Sequence, residues 1–322
     1  MTITRALLAG LLAALASQAA AQDLPTIRAA TLETGTLNWE LQTIIDNGLD
    51  ERNGFNLELL RLADNGATRV ALEGGEAEVA VADWIWVARQ RAAGQDLVAF
   101  PYSTAVGAIL VPADSPAETL ADLRGGSIGI AGGPLDKSWL ILRAFGEQEG
   151  GFDLAAETEQ VFGAPPLIFK AGLDGETDAT INFWHFSAKM TAAGMRELMT
   201  VTDAAEALGL DPDTPLLTYV MRGDWAEANP ELAQGLYRAS REAKDLLMED
   251  RPWEGIRPMM NADNDAEFEA LRAGFRAGIP PEGPVDAEAA GRMLAVMAEL
   301  GGEELVGQAT AVPEGMFLDL PN

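Results

Sequence analysis

The sequence contains no cysteine in its 322 residues. A disulfide framework is therefore excluded, and so is a lipid anchor attached to an N-terminal cysteine. Histidine is scarce too, because His185 is the only one. The acidic pairs Asp211/Asp213 and Asp263/Asp265 lack the glycine and closing glutamate of a calcium loop. Since a metal centre needs clustered ligands at suitable spacing, we predict neither a metal site nor a cofactor.

Basic residues are few as well: 22 Lys and Arg stand against 50 Asp and Glu, and the formal net charge is −28. Such a chain is repelled by nucleic acid and by anionic lipid surfaces, so neither is expected as a partner. Hydrophobic residues make up 48% of the sequence, so the acidity does not indicate disorder. We interpret the charge as a solvated acidic surface, and not as evidence of a cationic ligand.

Long hydrophobic runs are almost absent. The stretch 6–16 is apolar, but it is shorter than the ~20 residues that a membrane-spanning helix needs. It follows Arg5 and precedes Ala19, Ala20 and Ala21, which is the order of a secretory signal. We predict a cleaved signal peptide at residues 1–21, export to the periplasm and a soluble mature chain.

The rest of the sequence alternates between strand and helix patterns. Strand patterns at residues 26–32, 55–60 and 78–82 are separated by amphipathic helix patterns, which predicts a parallel sheet with helical crossovers. A second α/β unit follows the strand 107–111, and residues 175–182 repeat the pattern of residues 75–82.

We therefore predict an α/β protein of two lobes. Lobe I comprises residues 22–108, lobe II residues 109–221, and a helical return to lobe I residues 222–322. The strand 217–221 is expected to be the second crossing between the lobes.

Three segments resemble a known family. Residues 115–130 follow the pattern S-P-x-x-x-L-x-D-L-x-G-K-x-I-G-V, with Gly126 at the lysine position, and residues 178–184 and 222–231 follow in the family's order. The chain resembles the periplasmic solute-binding proteins of ABC importers for sulfonate, taurine and nitrate, and the related receptors for thiamine-pyrimidine precursors. The resemblance implies a type II Venus-flytrap fold with two crossing strands. It also implies a ligand cleft between the lobes, a monomeric receptor, and permease subunits in the inner membrane as partners.

The loops after the strands are the candidate ligand-binding segments, because open parallel sheets bind ligands at the carboxyl ends of their strands. Aromatic side chains are concentrated in these loops, which favours a small organic solute. The predicted ligand-binding residues are Asn38, Trp39, Asp64, Asn65, Asp83, Trp84, Tyr102, Lys137, Ser138, Trp139, Asn182, Phe183, Trp184 and His185.

Some of these residues have an ordinary structural interpretation. Asp64 and Asp83 stand where Asp is a common helix N-cap. Trp39 and Trp139 suit a hydrophobic core equally well, and His185 suits a structural hydrogen bond. Residues 133–136 read Gly-Pro-Leu-Asp where the sulfonate and nitrate receptors have small polar residues, and no candidate loop contains an arginine. An oxyanion ligand is therefore not expected.

Other functions remain open at this point. The same fold occurs in a thiamine-pyrimidine synthase, but that enzyme depends on a cysteine-rich motif, so we do not predict an enzyme. A sensory binding protein that reports to a membrane receptor has the same sequence features as a transport receptor. A metal-ion receptor would require Glu33, Asp64, Asp83 and Asp136 to converge on one point.

Overall fold

A computed structural model describes residues 24–321 of the protein. The predicted signal peptide, residues 1–21, lies outside the described residues. None of the helices in residues 24–321 combines the length and the hydrophobicity that a bilayer-spanning segment requires.

The first lobe is built on a five-stranded sheet. Its strands are β1 (Thr26–Leu32), β2 (Asn56–Leu62), β3 (Val79–Asp83), β4 (Leu97–Ser103) and β10 (Leu217–Arg222). Their order is β2-β1-β3-β10-β4, and only β10 runs antiparallel to its neighbours. The helices of this part of the chain are α1 (Leu37–Asp46), α2 (Leu49–Arg52), α3 (Asn65–Gly74) and α4 (Trp84–Ala92).

The second lobe repeats this arrangement. Its strands are β5 (Ala108–Val111), β6 (Ser127–Ala131), β7 (Glu159–Gly163), β8 (Ala179–Ile181) and β9 (Arg196–Thr200). Their order is β7-β6-β8-β5-β9, and β5 is the antiparallel member. The helices here are α5 (Lys137–Gln148), α6 (Leu154–Glu157), α7 (Pro165–Leu173), α8 (Trp184–Ala192) and α9 (Val201–Ala207).

The chain passes between the sheets twice. The first crossing is residues 104–107, between β4 and β5, and the second is residues 208–216, between α9 and β10. The expectation that strand 217–221 itself forms the second crossing differs from this result. That strand is part of β10, which pairs with β3 and β4 inside the first sheet, because its buried residues Tyr219, Val220 and Met221 belong to the core of that lobe.

The C-terminal third is helical and packs on both lobes. It contains α10 (Gly223–Ala228), α11 (Pro230–Leu247), α12 (Arg251–Ile256), α13 (Asp265–Ala277) and α14 (Ala287–Val306). Helix α11 packs on α1, α13 packs on α8, and α14 packs on α4 and α5. The sequence predicts a last helix with Asp286 as its N-cap and with its end at Gly301 and Gly302. In the structure α14 kinks at Gly302, and helical structure continues to Val306.

Candidate functional site

The loops at the carboxyl ends of the parallel strands in the two sheets meet at an ion pair between the lobes. Asp83 ends β3 in the first lobe, and Lys137 begins α5 after β6 in the second lobe. Lys137 Nζ lies 3.4 Å from Asp83 Oδ2, and only 9% of the Asp83 side chain is exposed. This ion pair joins two loops that are more than fifty residues apart in sequence. It marks the side of each sheet that faces the other lobe.

Asp83 is held by several groups at once. Its Oδ1 accepts a hydrogen bond from the Trp86 backbone N–H at 2.9 Å, so it is the N-cap of α4. Its Oδ2 also lies 3.2 Å from Arg69 Nη2, and the Arg69 guanidinium stacks 4.6 Å from the Trp86 ring centroid. Asp83 is therefore both a helix N-cap and a carboxylate that pairs with one cation from each lobe, Arg69 and Lys137.

Asp136 is the corresponding N-cap on the other side of the space. Its Oδ1 accepts from the Trp139 N–H at 3.0 Å. Burial raises the pKa of Asp136 to about 6, and the negative charge of Asp83 adds to the rise, while the Trp139 N–H and the Lys137 ammonium oppose it. Asp136 is thus a carboxyl group whose charge is sensitive to mildly acidic pH.

Two tryptophans form a second contact between the lobes. The rings of Trp39, in α1, and Trp184, the first residue of α8, meet edge to face with centroids 6.0 Å apart. Trp39 also contacts Trp253 and Phe275 from the C-terminal helices. Its Nε1 is buried and has no hydrogen-bond partner among the described residues. Trp39 and Trp184 are the two predicted aromatic residues that the fold brings together.

A buried ion pair fixes the helix that contains Trp39. Lys244 Nζ donates to Glu40 Oε2 at 2.7 Å, and both side chains are almost completely buried. Glu40 Oε1 accepts from Tyr219 Oη at 2.7 Å and from Ser240 Oγ at 2.6 Å. Because every oxygen of Glu40 is satisfied, the first turn of α1 is tied to β10 and α11.

Asn38 and Tyr102 belong to the interior of the first lobe. Asn38 Nδ2 donates to the Leu32 carbonyl and its Oδ1 accepts from Thr31 Oγ1, both at 3.0 Å. Tyr102 is buried, and burial together with the charge of Glu40 holds the pKa of its hydroxyl above the usual range. These two residues support the loop after β1 and the end of β4.

Trp84 and Trp139 lie in the hydrophobic core that α14 covers. Trp84 is fully buried and its ring centroid is 6.0 Å from that of Phe317, near the C-terminus. Trp139 is 2% exposed and lies in the same core as Met293 and Leu294 of α14. Both side chains therefore pack between the lobes and the last helix.

The remaining predicted residues are divided between structure and surface. Asp64 and Asn65 are exposed, and Asp64 caps α3 by accepting from the Ala67 N–H at 2.8 Å. Asn182 is buried and bonds the Pro165 carbonyl and the Phe183 N–H. Phe183 is exposed at the end of β8, whereas Ser138 is partly buried in the first turn of α5.

His185 packs between two aromatic neighbours on α8, with its ring centroid 5.7 Å from that of Trp184 and 4.6 Å from that of Phe186. Burial lowers the pKa of His185 to about 4, and the nearby Lys189 lowers it further in the same direction. The imidazole is therefore neutral at pH 7.

Sequence reasoning missed Arg69. It searched the loops that follow strands, whereas Arg69 lies inside α3 and reaches Asp83 from the helix. The candidate loops contain no arginine, as the sequence shows, but a helix brings this one to Asp83. As for metal ions, no group of three or more His, Asp or Glu side chains in residues 24–321 is arranged to hold one.

Comparison with known proteins identifies the family. The NMT1/THI5-like family model matches residues 46–252, which is more than half of the chain. No curated protein matches the sequence.

Solved structures share the fold. The periplasmic aliphatic sulphonate binding protein SsuA from Escherichia coli superposes with a TM-score of 0.71 and 21% identity, over 92% of this chain and 98% of that chain. The alkanesulfonate-binding protein SsuA from Xanthomonas axonopodis pv. citri, bound to MOPS, gives a TM-score of 0.67 and 19% identity, over 92% and 99%. The desulfurization enzyme DSZB gives a TM-score of 0.59 and 14% identity, over 91% and 97%. The fold therefore occurs in binding proteins and in at least one enzyme.

The predicted two-lobed α/β architecture and the resemblance to the SsuA-type binding proteins are thus confirmed. The chain belongs to the NMT1/THI5-like family and has the fold of the two-lobed periplasmic binding proteins.

Proposed function

We propose that the protein is the solute-binding receptor of an ABC importer and captures a small organic molecule between its lobes. The observation on which this rests most directly is the Asp83–Lys137 ion pair, which links the carboxyl edges of the two sheets. Parallel α/β sheets bind ligands at that edge, and two lobes that face each other there can close around a ligand by a hinge motion.

The cleft has the aromatic and acidic character expected of an organic ligand site. Trp184 is partly buried and supplies ring surface, and the buried Trp39 ring packs against it from the other lobe, with an Nε1 donor that has no protein partner in the described part of the chain. Asp83 and Asp136 supply carboxyl groups, with Arg69 and Lys137 as the facing cations. Export to the periplasm, a monomeric receptor and a permease partner in the inner membrane are part of the same proposal, supported by the likeness to the periplasmic binding protein SsuA and by the signal pattern at residues 1–21.

A thermal-shift screen tests the receptor function. The mature chain is heated with small organic solutes, sulfonates, amines and metal ions in turn. A ligand at about one hundred times its Kd should stabilise the folded state by about 2.7 kcal/mol, which raises Tm by several degrees. If no member of a broad panel moves Tm, the protein is not a receptor for small solutes.

A matched pair of variants then tests the position of the site. Asp83→Asn keeps the N-cap of α4 but removes the charge that pairs with Lys137. It should lower the affinity for the ligand found by the screen about five- to tenfold. Asp153→Asn is the control, because Asp153 is also an N-cap beside an arginine, Arg143, but belongs to α6. Equal affinities for both variants would place the ligand elsewhere.

A further inference from the structure

Each lobe presents one carboxylate and one cation at the edge that faces the other lobe. In the first lobe Asp83 Oδ2 lies 3.2 Å from Arg69 Nη2. In the second lobe Asp136 and Lys137 are consecutive residues at the start of α5. Both carboxylates are helix N-caps, of α4 and of α5. We call Asp83 with Arg69 the lobe I pair and Asp136 with Lys137 the lobe II pair; each is neutral when its carboxylate is ionised.

The two cations have donors that no protein group uses. Arg69 Nε is buried and has no hydrogen-bond partner in the described part of the chain, although Nη2 of the same guanidinium reaches Asp83. Lys137 Nζ lies 3.4 Å from Asp83 Oδ2 and donates no hydrogen bond within residues 24–321. Buried donors are normally satisfied, so both cations suit a further acceptor, and a carboxylate is the strongest one available to them.

Opening, which the proposed receptor function requires, would separate the two pairs without breaking either one. Arg69 and Asp83 belong to α3 and β3 of the first lobe, and the lobe II pair lies at the start of α5 in the second. The contact that opening breaks is the one between Asp83 and Lys137. A single anion or a single cation between the pairs would leave one poorly solvated charge unbalanced, which is costly. A zwitterion leaves both pairs balanced.

The spacing of the charges limits the kind of zwitterion. Asp83 Oδ2 lies within 3.4 Å of a cation from each lobe, so opposite charges are direct neighbours at this edge. A complementary ligand therefore also carries its ammonium group and its carboxylate close together. An α-amino acid does so, because it has both groups on one carbon atom. A zwitterion with a long spacer would place one of its charges beyond the two pairs.

An exposed aromatic ring lies at the same edge of the second sheet. Strand β8 pairs with β6, with Ile181 beside Ile130, and Phe183 follows β8 as the loop to Lys137 follows β6. The Phe183 side chain is 39% exposed, so its ring offers apolar surface on the side of the lobe II pair. This surface suits an apolar side chain on the ligand.

We propose that the solute is an α-amino acid with an apolar side chain. Its carboxylate accepts from Arg69 and Lys137, its ammonium group donates to Asp83 and Asp136, and its side chain packs on Phe183. The inference rests on the proposed receptor function and names the class of solute for the same cleft. Contacts through the ligand then replace the direct contact between Asp83 and Lys137, so the lobes close on the ligand.

Isothermal titration calorimetry with L-phenylalanine tests this class on the mature chain. At pH 7.5 Asp136 is ionised, because burial raises its pKa only to about 6. The comparison ligands are 2-phenylethylamine, which lacks the carboxylate, and 3-phenylpropionate, which lacks the ammonium group. We expect L-phenylalanine to bind at least about tenfold more tightly than either, because each analogue leaves charged groups of the cleft unmatched.

A pair of isomers tests the spacing of the charges. L-Valine and 5-aminopentanoate have the same atoms and the same two charges, but 5-aminopentanoate carries them at opposite ends. It should bind at least about tenfold more weakly than L-valine. Equal affinities for the two isomers would contradict the assignment of an α-amino acid.

Two variants test which groups hold the carboxylate. Arg69→Gln and Lys137→Gln should each weaken L-phenylalanine about tenfold but should not weaken 2-phenylethylamine, which has no carboxylate. A general structural defect would weaken both ligands alike. The control is Lys170→Gln, which removes a lysine charge from the exposed Lys170–Asp174 pair of α7 and should leave both affinities unchanged.

The outcomes for the solute class and for the receptor function are distinguishable. The inference is overturned if L-phenylalanine binds no more tightly than its singly charged analogues, or if Lys137→Gln and Lys170→Gln have the same effect. It is also overturned if amino acids do not bind while another solute of the thermal-shift panel does, and in that case the receptor function stands. If no solute binds at all, the receptor function fails together with the inference.

Discussion

At the scale of single residues, two aspartates with the same structural role experience opposite environments. Asp136 caps α5 from a partly buried position, and burial raises its pKa to about 6. Asp286 caps α14 on the surface, and hydrogen bonds from the Ala289 and Glu288 N–H groups lower its pKa. The capping bond alone therefore does not determine the pKa; the solvation of the carboxylate decides which effect is larger.

This difference predicts opposite pH dependences for two asparagine variants. An unfolded aspartate titrates near pH 3.9, so native Asp136 holds its proton more tightly than the unfolded chain does. Its contribution to stability therefore falls as the pH rises from about 4 to about 6. Asparagine keeps the cap without titrating. As the pH rises from 4 to 7, the unfolding free energy of Asp136→Asn should increase relative to that of the parent by on the order of 1–3 kcal/mol, measured by urea denaturation.

Asp286→Asn supplies the comparison of opposite sign. The lowered pKa of Asp286 stabilises the folded chain above the unfolded pKa, and this contribution is lost as the pH falls. The unfolding free energy of Asp286→Asn should therefore fall relative to that of the parent as the pH rises. Curves for Asp136→Asn that stay parallel to the parent between pH 4 and 7 would contradict the environment assigned to Asp136.

At the scale of elements, the first crossing depends on the absence of a side chain. A Cβ at Gly107 would lie 2.0 Å from the Asn182 carbonyl oxygen, a backbone atom at the end of β8. The Gly107 carbonyl also accepts from the Val201 N–H at 3.1 Å, so the backbone is held on both sides. Gly107 therefore lets β5 enter the second sheet between β8 and β9.

The variant Gly107→Ala should destabilise the protein by at least ~1–3 kcal/mol, because the new methyl group displaces a backbone carbonyl. The control is Gly291→Ala in α14, where a Cβ meets nothing within 4 Å. That change should stabilise the helix by about 0.5–1 kcal/mol. Both values are read from urea unfolding at pH 7. Similar stabilities for the two variants would mean that β5 moves away from Asn182 without cost.

Local pattern was sufficient to predict many of the elements. The strand predicted at 26–32 has the bounds of β1, and Asp286 is the cap of the last helix, because strand alternation and N-caps are local properties. Local sequence pattern does not determine which sheet the strand 217–221 belongs to. Whether that strand crosses or joins a sheet depends on pairing with β3 and β4, more than a hundred residues earlier.

The site shows the same limit. Asp83 and Lys137 stand in loops after strands and lie 3.4 Å apart, whereas the pairing of Asp83 with Arg69 depends on the orientation of α3, which the sequence does not give. Trp84 and Trp184 both begin helices after strands, so their sequence contexts are alike. They differ because α14 covers Trp84, and the packing of a distant helix is not visible in a single sequence.

At the scale of the whole molecule, the two lobes have equivalent sheets. In each, four parallel strands accept one antiparallel strand next to the edge, and that strand, β10 or β5, comes directly after a crossing. The C-terminal helices join the lobes on two sides, α13 through α8 and α14 through α4 and α5. The proposed receptor function requires the lobes to open, and with this packing the opening would combine hinge motion at the crossings with sliding of packed helices.

The distance between the lobes should depend on the Asp83–Lys137 pair, and the lack of cysteine makes it measurable. Val70 in α3 and Leu167 in α7 are 67% and 66% exposed and belong to different lobes, so Val70→Cys/Leu167→Cys introduces two unique labelling positions. Double electron–electron resonance between spin labels at these positions reports the separation of the lobes. Adding Lys137→Gln removes an inter-lobe attraction in a partly buried setting and should shift the distances to longer values.

The matched control is Arg124→Gln, which breaks the Arg124–Glu157 pair inside the second lobe. It removes one positive charge, as Lys137→Gln does, but changes no contact between the lobes, so the distances should stay at those of the labelled parent. High salt should lengthen the parent distances and have little effect on the Lys137→Gln protein, because screening and the substitution remove the same attraction. Identical distributions for Lys137→Gln and Arg124→Gln would mean that the tryptophan contact and the C-terminal helices hold the lobes together without this ion pair.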